Sequence, residues 1–489
     1  MCDSNNTTNT KKVVKGISSQ TLVVVVLGVV EIVSFSIMSR LLTKDDFGYY
    51  AAISAITSIF ATFSDAGIGS ALIQRKGLDE NFKNNAFSLS LVFGSVLTLI
   101  LVILSVPLAD LVLDRSMAIP LMLMSITLLC NSMVSVNYSL MQRKLQFLRV
   151  GLINLISLLI TTITAILLAL NGYGYYAIIA KAVLYSLLTL ISSYIFVNEK
   201  FRWFLDKKSV KSIWSFSGWL MFSVVVRNIG AQTDRLIMGR ILSVGILGSY
   251  NRPKEFIEQI SSKINGIFDT ALFPVLSGIQ DNQSSLSSAY KTSIYYMNIF
   301  SMLLSMSFIC NRELIIRIFF GEEWMSVSPI LVILSINLIF NADGRLSDCY
   351  FRSLGLTKQQ FYFRCAEMVL TIVLVVLGAL FYGVLGVAVG YTIANFTMIF
   401  MKVRYLVNYI SVPFRVVVFT LISSWRFAIF IYPVMILLSC LIPNNIYGNI
   451  IELGVFIIMC ALIFLFFPQL VGNRYKSEAL TKVKSFIKK

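Results

Sequence analysis

The chain has 489 residues, of which 57% are hydrophobic and only 13% charged, with a net charge of +17 and a mean hydropathy of +0.80. Soluble domains carry about a quarter charged residues, so the polar coat that several soluble domains would need is missing, and the chain reads as an all-α polytopic membrane protein. It contains no histidine, which removes Ser-His-Asp and Cys-His catalysis, the H-E-x-x-H zinc motif and imidazole proton relays. No Walker A or G-x-G-x-x-G pattern occurs, and the seven cysteines show no C-x-x-C spacing. No enzyme activity, metal or organic cofactor is expected, which leaves Na⁺ or H⁺ as a coupling ion.

Residues 1–15 are polar and lack a cleavable signal pattern; they read as a cytoplasmic lead. A crossing needs about 20 mostly apolar residues. Fourteen such stretches follow, at 16–41, 46–70, 84–107, 117–141, 148–170, 174–197, 212–241, 248–277, 288–311, 325–350, 362–382, 384–408, 423–442 and 447–468. They must be helices, because the alternating strands of a membrane barrel are absent. The seventh and eighth are the least apolar. The spans group into a six-helix bundle over 16–198, a cytoplasmic linker at 199–211 and a second six-helix bundle over 212–408. Residues 409–422 are too short to cross and are assigned to the inner interface. Residues 423–468 hold two further helices, and 469–489 form a basic cytoplasmic tail.

Most of the 41 basic residues fall in one alternating set of turns, and few (Arg40, Lys44, Arg115, Arg240, Arg312, Arg317) in the other. The positive-inside rule then puts both termini in the cytoplasm. Topology accounts for the charge without nucleic acid, and the tail faces solvent or anionic lipid.

An internal repeat is visible at an offset of 200. R-L-L-T-K-D-D-F-G-Y-Y (40–50) aligns with R-I-L-S-V-G-I-L-G-S-Y (240–250), matching Arg40 to Arg240, Leu42 to Leu242, Gly48 to Gly248 and Tyr50 to Tyr250. A displacement of six spans preserves orientation, which implies two bundles related by a pseudo-two-fold axis along the membrane normal.

The order and spacing of several short motifs carry a resemblance. They are F-G-Y-Y (47–50), F-S-D-A-G-I-G-S-A-L-I-Q-R-K (63–76), N-x-x-F-S-L-S-L-V-F-G ending at Gly94, and L-M-Q-R-K-L-Q-F (140–147). D-R-L-I-M-G-R (234–240), L-G-S-Y-N-R (247–252), L-F-P-V-L-S (272–277) and F-G-E-E-W (320–324) complete the set. The chain resembles the Wzx-type polysaccharide flippases of the multidrug/oligosaccharidyl-lipid/polysaccharide exporter superfamily, in particular the colanic-acid and teichuronic-acid exporter branch, over about residues 10–410. The resemblance implies a bacterial inner-membrane protein that flips a polyprenyl-diphosphate-linked oligosaccharide by alternating access, for O-antigen, capsule or exopolysaccharide synthesis. Membrane lipids, a polysaccharide polymerase and a chain-length regulator are the partners it implies. Because the two bundles enclose their own pathway, a monomer suffices. Two other classes stay open: a multidrug or cation antiporter of the same superfamily, which would favour a carboxylate-lined site without arginine, and a membrane polysaccharide polymerase, which would need a larger extramembrane loop.

Ionisable groups inside a bilayer are costly and are functional candidates. A diphosphate suits the bidentate fork of arginine, so Arg227 is the first candidate contact, followed by Arg345, Lys263 and Arg252. For Arg252, near a span end, snorkelling is an equal alternative. Asp65, Asp234, Asp269 and Asp343 are the candidate coupling or cavity acids, with helix packing the alternative for Asp65. Pairing of Arg227 with Asp234 across helices is a second reading of both. Tyr49, Tyr50, Trp203, Trp214 and Trp324 are assigned to the aromatic interface belt.

Overall fold

The computed structural model describes residues 23–459 apart from 66–67, 75–76, 78, 198, 200, 426–430, 436, 439–447, 449–450, 453 and 457. The lead at 1–15, the tail at 469–489 and most of the last two expected spans lie outside the described residues. So do the side chains of Asp65, of 207–223 and of 263–271.

Among the described residues there is no strand. The helices are α1 (Val23–Leu41), α2 (Lys44–Asp65), α3 (Ile68–Gln74), α4 (Glu80–Val112), α5 (Ala118–Arg143), α6 (Phe147–Leu170) and α7 (Tyr175–Val197). These are followed by α8 (Lys207–Ile241), α9 (Val244–Gly278), α10 (Gln283–Cys310), α11 (Arg312–Phe319), α12 (Ser328–Ser353), α13 (Thr357–Tyr409) and α14 (Phe414–Ser424). Nine helices among the described residues are long and apolar enough to cross a membrane, so the chain is a multi-pass helical membrane protein. The charges in α8 and α9 explain why those two fall short on apolarity, as their sequences anticipate.

The 53-residue α13 is two helices in one. A straight helix of that length would run about 80 Å, far beyond a bilayer of about 30 Å. The chain turns back at Gly383, whose φ of 58° and ψ of −139° are open to glycine and strained for other residues. Gly378 and Gly386 then face each other so closely that a Cβ on either would overlap the other's backbone. Two expected spans, 362–382 and 384–408, meet at this turn.

The helices fall into two compact units: residues 1–252 with 364–387, and residues 253–363 with 388–489. Unit 1 holds α1 to α8, the first turns of α9 and the first arm of α13. Unit 2 holds the rest of α9, α10 to α12, the second arm of α13 and α14. The core of unit 2 is apolar and aromatic, with Leu286, Tyr290, Ile294, Leu346, Tyr350 and Leu406 almost fully buried. The eleven-residue α14 contributes Val417 to this core; at about 16 Å it is too short to cross.

Local chemistry sets the ends of these helices. Thr43 and Asp46 form a reciprocal cap at the start of α2. The Thr43 N–H donates to Asp46 Oδ2 at 2.9 Å, and the Asp46 N–H donates to Thr43 Oγ1 at 3.2 Å; two orphan amides are satisfied at once. Asp46 Oδ1 also accepts the Tyr175 N–H at 2.8 Å, which ties the start of α7 to α2.

Candidate functional site

Three of the motif stretches meet in unit 1, where α1 turns into α2 and α8 into α9. A Cβ on Gly48 would overlap the Val244 carbonyl, and one on Gly248 would overlap the Lys44 carbonyl. At the repeat offset of 200, residues 44 and 48 correspond to 244 and 248. The contact is therefore reciprocal, as in an isologous interface between two subunits. Gly245 lies against the carboxylate of Asp45, the residue that matches it at this offset.

Arg252 closes this region. It is 5% exposed, and its guanidinium carbon lies 3.4 Å from the Phe35 ring centroid and 4.1 Å from that of Phe47. Its Nε and Nη2 donate to Ser39 Oγ at 3.0 and 2.9 Å, and Nη2 donates to the Phe35 carbonyl at 2.7 Å. Such a group neither snorkels nor meets a diphosphate. The expectation for Arg252 is corrected: the guanidinium clamps α9 to α1 and to the first turn of α2 through hydrogen bonds and cation–π stacking. Its place near a span end gave no sign of the two rings that enclose it.

Asp234 is fully buried. Its Oδ2 accepts the Tyr250 hydroxyl at 2.6 Å and its Oδ1 accepts the Arg235 N–H at 2.9 Å. The Asp234 of one motif thus fastens α8 to the Tyr250 of the next, in α9.

At the opposite end of α4 and α5 the motif cations are also structural. Arg143 Nη1 donates to the Leu72 and Ile73 carbonyls at 2.8 and 3.3 Å, capping the last turn of α3. Lys144 and Lys83 both reach Glu199, at 2.7 and 3.3 Å. The Lys144 hydrogen bond, seconded by Lys83, holds the Glu199 carboxyl below the ordinary glutamate range. The following stretch lies along α4, with the Arg202 and Phe204 N–H groups donating to Asn84 Oδ1 and Ser88 Oγ, each at 2.9 Å.

Unit 2 holds a polar site of another kind. Asp343, in α12, is 6% exposed, and its Oδ1 accepts a hydrogen bond from Asn298 Nδ2, in α10, at 2.5 Å. The same Nδ2 donates to the Ile294 carbonyl at 2.8 Å. Both amide hydrogens are thereby committed to acceptors, which fixes the orientation of the amide. Its oxygen, Asn298 Oδ1, has no donor, and neither do the buried hydroxyls of Tyr290 and Tyr350 find a partner. Buried polar groups without partners are uncommon and call for an explanation. Asp343, Ser347 and Tyr350 stand at i, i+4 and i+7 on one face of α12, where Asp343 lies close to Tyr290 and the Ser347 side chain is within hydrogen-bonding reach of the Tyr290 hydroxyl.

Asn298 escapes a sequence search that follows charge, although a lone amide at the centre of an apolar span is a legible signal. Lys402, counted by sequence among the cytoplasmic turns, is 1% exposed and lies 3.9 Å from Asp348 Oδ1. Trp324 is 2% exposed and packs against Phe320, so it is not a belt residue. Tyr49 stacks on Tyr175 and donates to Asp114, while Trp203 is exposed as expected.

Of the expected diphosphate contacts, Arg227 in α8 and Arg345 in α12 both have exposed side chains. Next to Arg227, Asn228 Nδ2 donates to Thr62 Oγ1 at 2.6 Å. The side chains of Lys263, Asp65 and Asp269 lie outside the description.

Residues 37–329 match the family described as polysaccharide biosynthesis protein. This is more than half of the chain, and the chain belongs to that family. It is 24% identical over 380 residues to the lipopolysaccharide biosynthesis protein WzxC of Escherichia coli K12, covering 77% of this chain and 76% of that protein. To the teichuronic acid biosynthesis protein TuaB of Bacillus subtilis 168 it is 22% identical over 345 residues, covering 68% and 71%. Among solved structures, the lipid II flippase MurJ in an inward closed conformation superposes with a TM-score of 0.72 at 15% identity, over 92% of this chain and 99% of that one. An inward-facing multidrug resistance transporter of the MATE family gives 0.58 at 14% identity, over 79% and 94%. These likenesses show the fold alone, one shared with MurJ and with that MATE-family protein.

Proposed function

We propose that the protein flips a polyprenyl-diphosphate-linked oligosaccharide across the bacterial cytoplasmic membrane, delivering repeat units for a surface polysaccharide. The observation that carries this reading is the family match over residues 37–329, in a chain whose fold spans nearly the whole of a lipid flippase. The activity is transport and not catalysis, as the names of its relatives suggest. Both termini lie in the cytoplasm, and the pathway opens to alternate sides of the membrane in turn. The transporting unit is a monomer, which hands its cargo to a polymerase and a chain-length regulator.

Arg227 and Arg345 are the diphosphate contacts in this reading, with Lys263 a third. The planar forks of the two arginines suit paired phosphate oxygens, whereas Arg252 and Asp234 hold helices together. Arg227→Lys should insert and accumulate normally yet export poorly, because it keeps the charge and loses the fork. Surface polysaccharide divided by membrane protein level measures this; normal export per molecule in Arg227→Ala would remove the residue from the site. Cysteines at Asn171 and Gly383, in a cysteine-free background, should react with an impermeant thiol reagent from outside, and one at Lys208 should not. The reverse pattern would invert the topology.

A further inference from the structure

We propose that the turn between α6 and α7, with the tyrosines stacked beside it, is a subsite for the sugar part of the cargo at the outer end of unit 1. The proposal rests on the flippase reading and its topology, which place this turn on the side where the cargo is delivered. The stretch Leu170-Asn171-Gly172-Tyr173-Gly174-Tyr175-Tyr176 holds Tyr173 between two glycines in the left-handed region, at φ of 80° and 53°, a conformation that costs other residues. The Gly172 and Tyr173 N–H groups donate back to the Ala169 and Leu168 carbonyls, and those of Tyr176 and Ala177 donate to the Tyr173 and Gly174 carbonyls. A Cβ on Gly174 would come within 2.6 Å of Asp46 Oδ1, the atom that accepts the Tyr175 N–H. The turn is thus fixed both on itself and against the cap of α2.

Three rings are fixed with it. Tyr175 lies between Tyr49 and Tyr176, with ring centroids 4.9 and 4.7 Å away and planes inclined by 27° and 24°. Tyr173 and Tyr176 are exposed. The Tyr49 hydroxyl donates to Asp114 Oδ2 at 3.1 Å, and the Tyr175 hydroxyl is within hydrogen-bonding reach of Tyr176 and close to Asp114. Asn171, exposed, donates from Nδ2 to the Leu167 carbonyl at 2.7 Å, which leaves its amide oxygen as an acceptor. A ring of the membrane-interface belt needs only the right depth. Tyr382, just before the turn of α13, is such a ring: exposed, and with no ring partner among the described residues. The rings beside α7 are instead held at set positions among hydroxyls, an amide and a carboxylate, the preorganisation that a binding surface requires.

Sugars suit this arrangement. A pyranose has an apolar C–H face that covers an aromatic ring and a rim of hydroxyls that both donate and accept. An ammonium group would call for ring faces converging on it, whereas these lie nearly parallel. The carboxylates bonded to the stack are also met by neutral donors: Asp114 Oδ1 by the Ser116 N–H and hydroxyl, and Asp46 Oδ2 by the Thr43 N–H and hydroxyl. The site presents ring face, hydroxyl and amide, which matches a neutral polyol.

The test is saturation-transfer NMR of the purified full-length protein in detergent with the repeat oligosaccharide that partial hydrolysis releases from the polysaccharide the cell exports. Wild type should bind it saturably. Tyr173→Ala and Tyr176→Ala should each weaken binding by about tenfold. Tyr173→Phe and Tyr176→Phe, which keep the ring faces, should stay within about threefold of wild type, and Tyr382→Ala should bind as wild type does. Tyr173 stacks on no other ring among the described residues, so its variant carries the test should Tyr176→Ala not accumulate. Absence of saturable binding by a wild-type protein that supports export would overturn the inference and leave the flippase reading standing. Binding that both alanine variants leave unchanged would also overturn it. So would an equal loss in Tyr382→Ala, which would return the rings to the interface belt, or choline binding at the tyrosines in place of the sugar. Sugar binding by a protein that moves no lipid-linked sugar would instead remove the flippase reading and leave the subsite in place.

Discussion

Asp234 and Asp343 are both aspartates buried inside helical units of a membrane protein, and their surroundings differ in kind. Asp234 has a donor on each oxygen, the Tyr250 hydroxyl at 2.6 Å and the Arg235 N–H at 2.9 Å, and it sits where three family motifs converge. Asp343 has one donor, Asn298, whose own amide oxygen has none, close to a tyrosine hydroxyl with no partner. A buried carboxylate with its lone pairs met by the protein is a fastening. One with a single donor leaves most of its lone pairs unmet by the protein. Burial, which both share, does not separate the two roles; the donor inventory does.

The largest effect is expected where Asp234 is anchored. Gly48→Val or Gly248→Val would drive a side chain into the opposing backbone, and the cost should reach or exceed the upper end of the roughly 1–3 kcal/mol typical of overpacking. The protein should fail to accumulate in membranes. Normal abundance of either variant would show that the glycine contact does not hold the two turns together.

Next in size is the Asp234 bond itself. Asp234→Ala leaves the Tyr250 hydroxyl buried without an acceptor, at a cost of about 1–3 kcal/mol. Tyr250→Phe should cost a similar amount, and the double variant less than the sum. Thermal midpoints in detergent check this, and strict additivity would break the link between the two residues.

Arg252→Lys keeps the charge but loses the plane that lies between Phe35 and Phe47, together with part of its donor set. A loss of about 1–2 kcal/mol is expected, with export per molecule unchanged. A fall in export at full abundance would return Arg252 to the substrate site.

The smallest effect lies at the Lys83–Lys144–Glu199 knot. The Glu199 carboxyl is held below the ordinary glutamate range by its lysine partners, so its contribution is present above that range and is lost as pH falls through the depressed value. Glu199→Gln should lower the thermal midpoint at neutral pH by the equivalent of about 1 kcal/mol or less, and the gap should close in acid. A gap that persists at acid pH would rule out the ion pair as its cause.

Much of the fold was legible in the sequence, because lipid leaves few options for a backbone: apolar runs of the right length must be helices. Even the turn at Gly383 fell between two expected spans. Gly48 and Gly248, matched at an offset of 200 in the sequence, lie against the Val244 and Lys44 carbonyls. The sites were harder. Arg252 looked like a membrane-edge cation because nothing in its own stretch announces Phe35, more than two hundred residues away. Asn298 carries no charge and was passed over, although it sets the orientation of the polar pair. A search for charge finds groups that are costly to bury. Which of them the fold has already satisfied depends on neighbours brought together from distant parts of the chain.

The contrast between the two aspartates is tested most directly by surface polysaccharide per molecule of membrane protein in Asp343→Asn and Asp234→Asn, measured side by side. Asp343→Asn should accumulate close to wild-type level and export little. Asp234→Asn should export in proportion to whatever protein accumulates. Full export per molecule from Asp343→Asn, or lost export from an abundant Asp234→Asn, would contradict the assignment of one as the working acid and the other as a fastening.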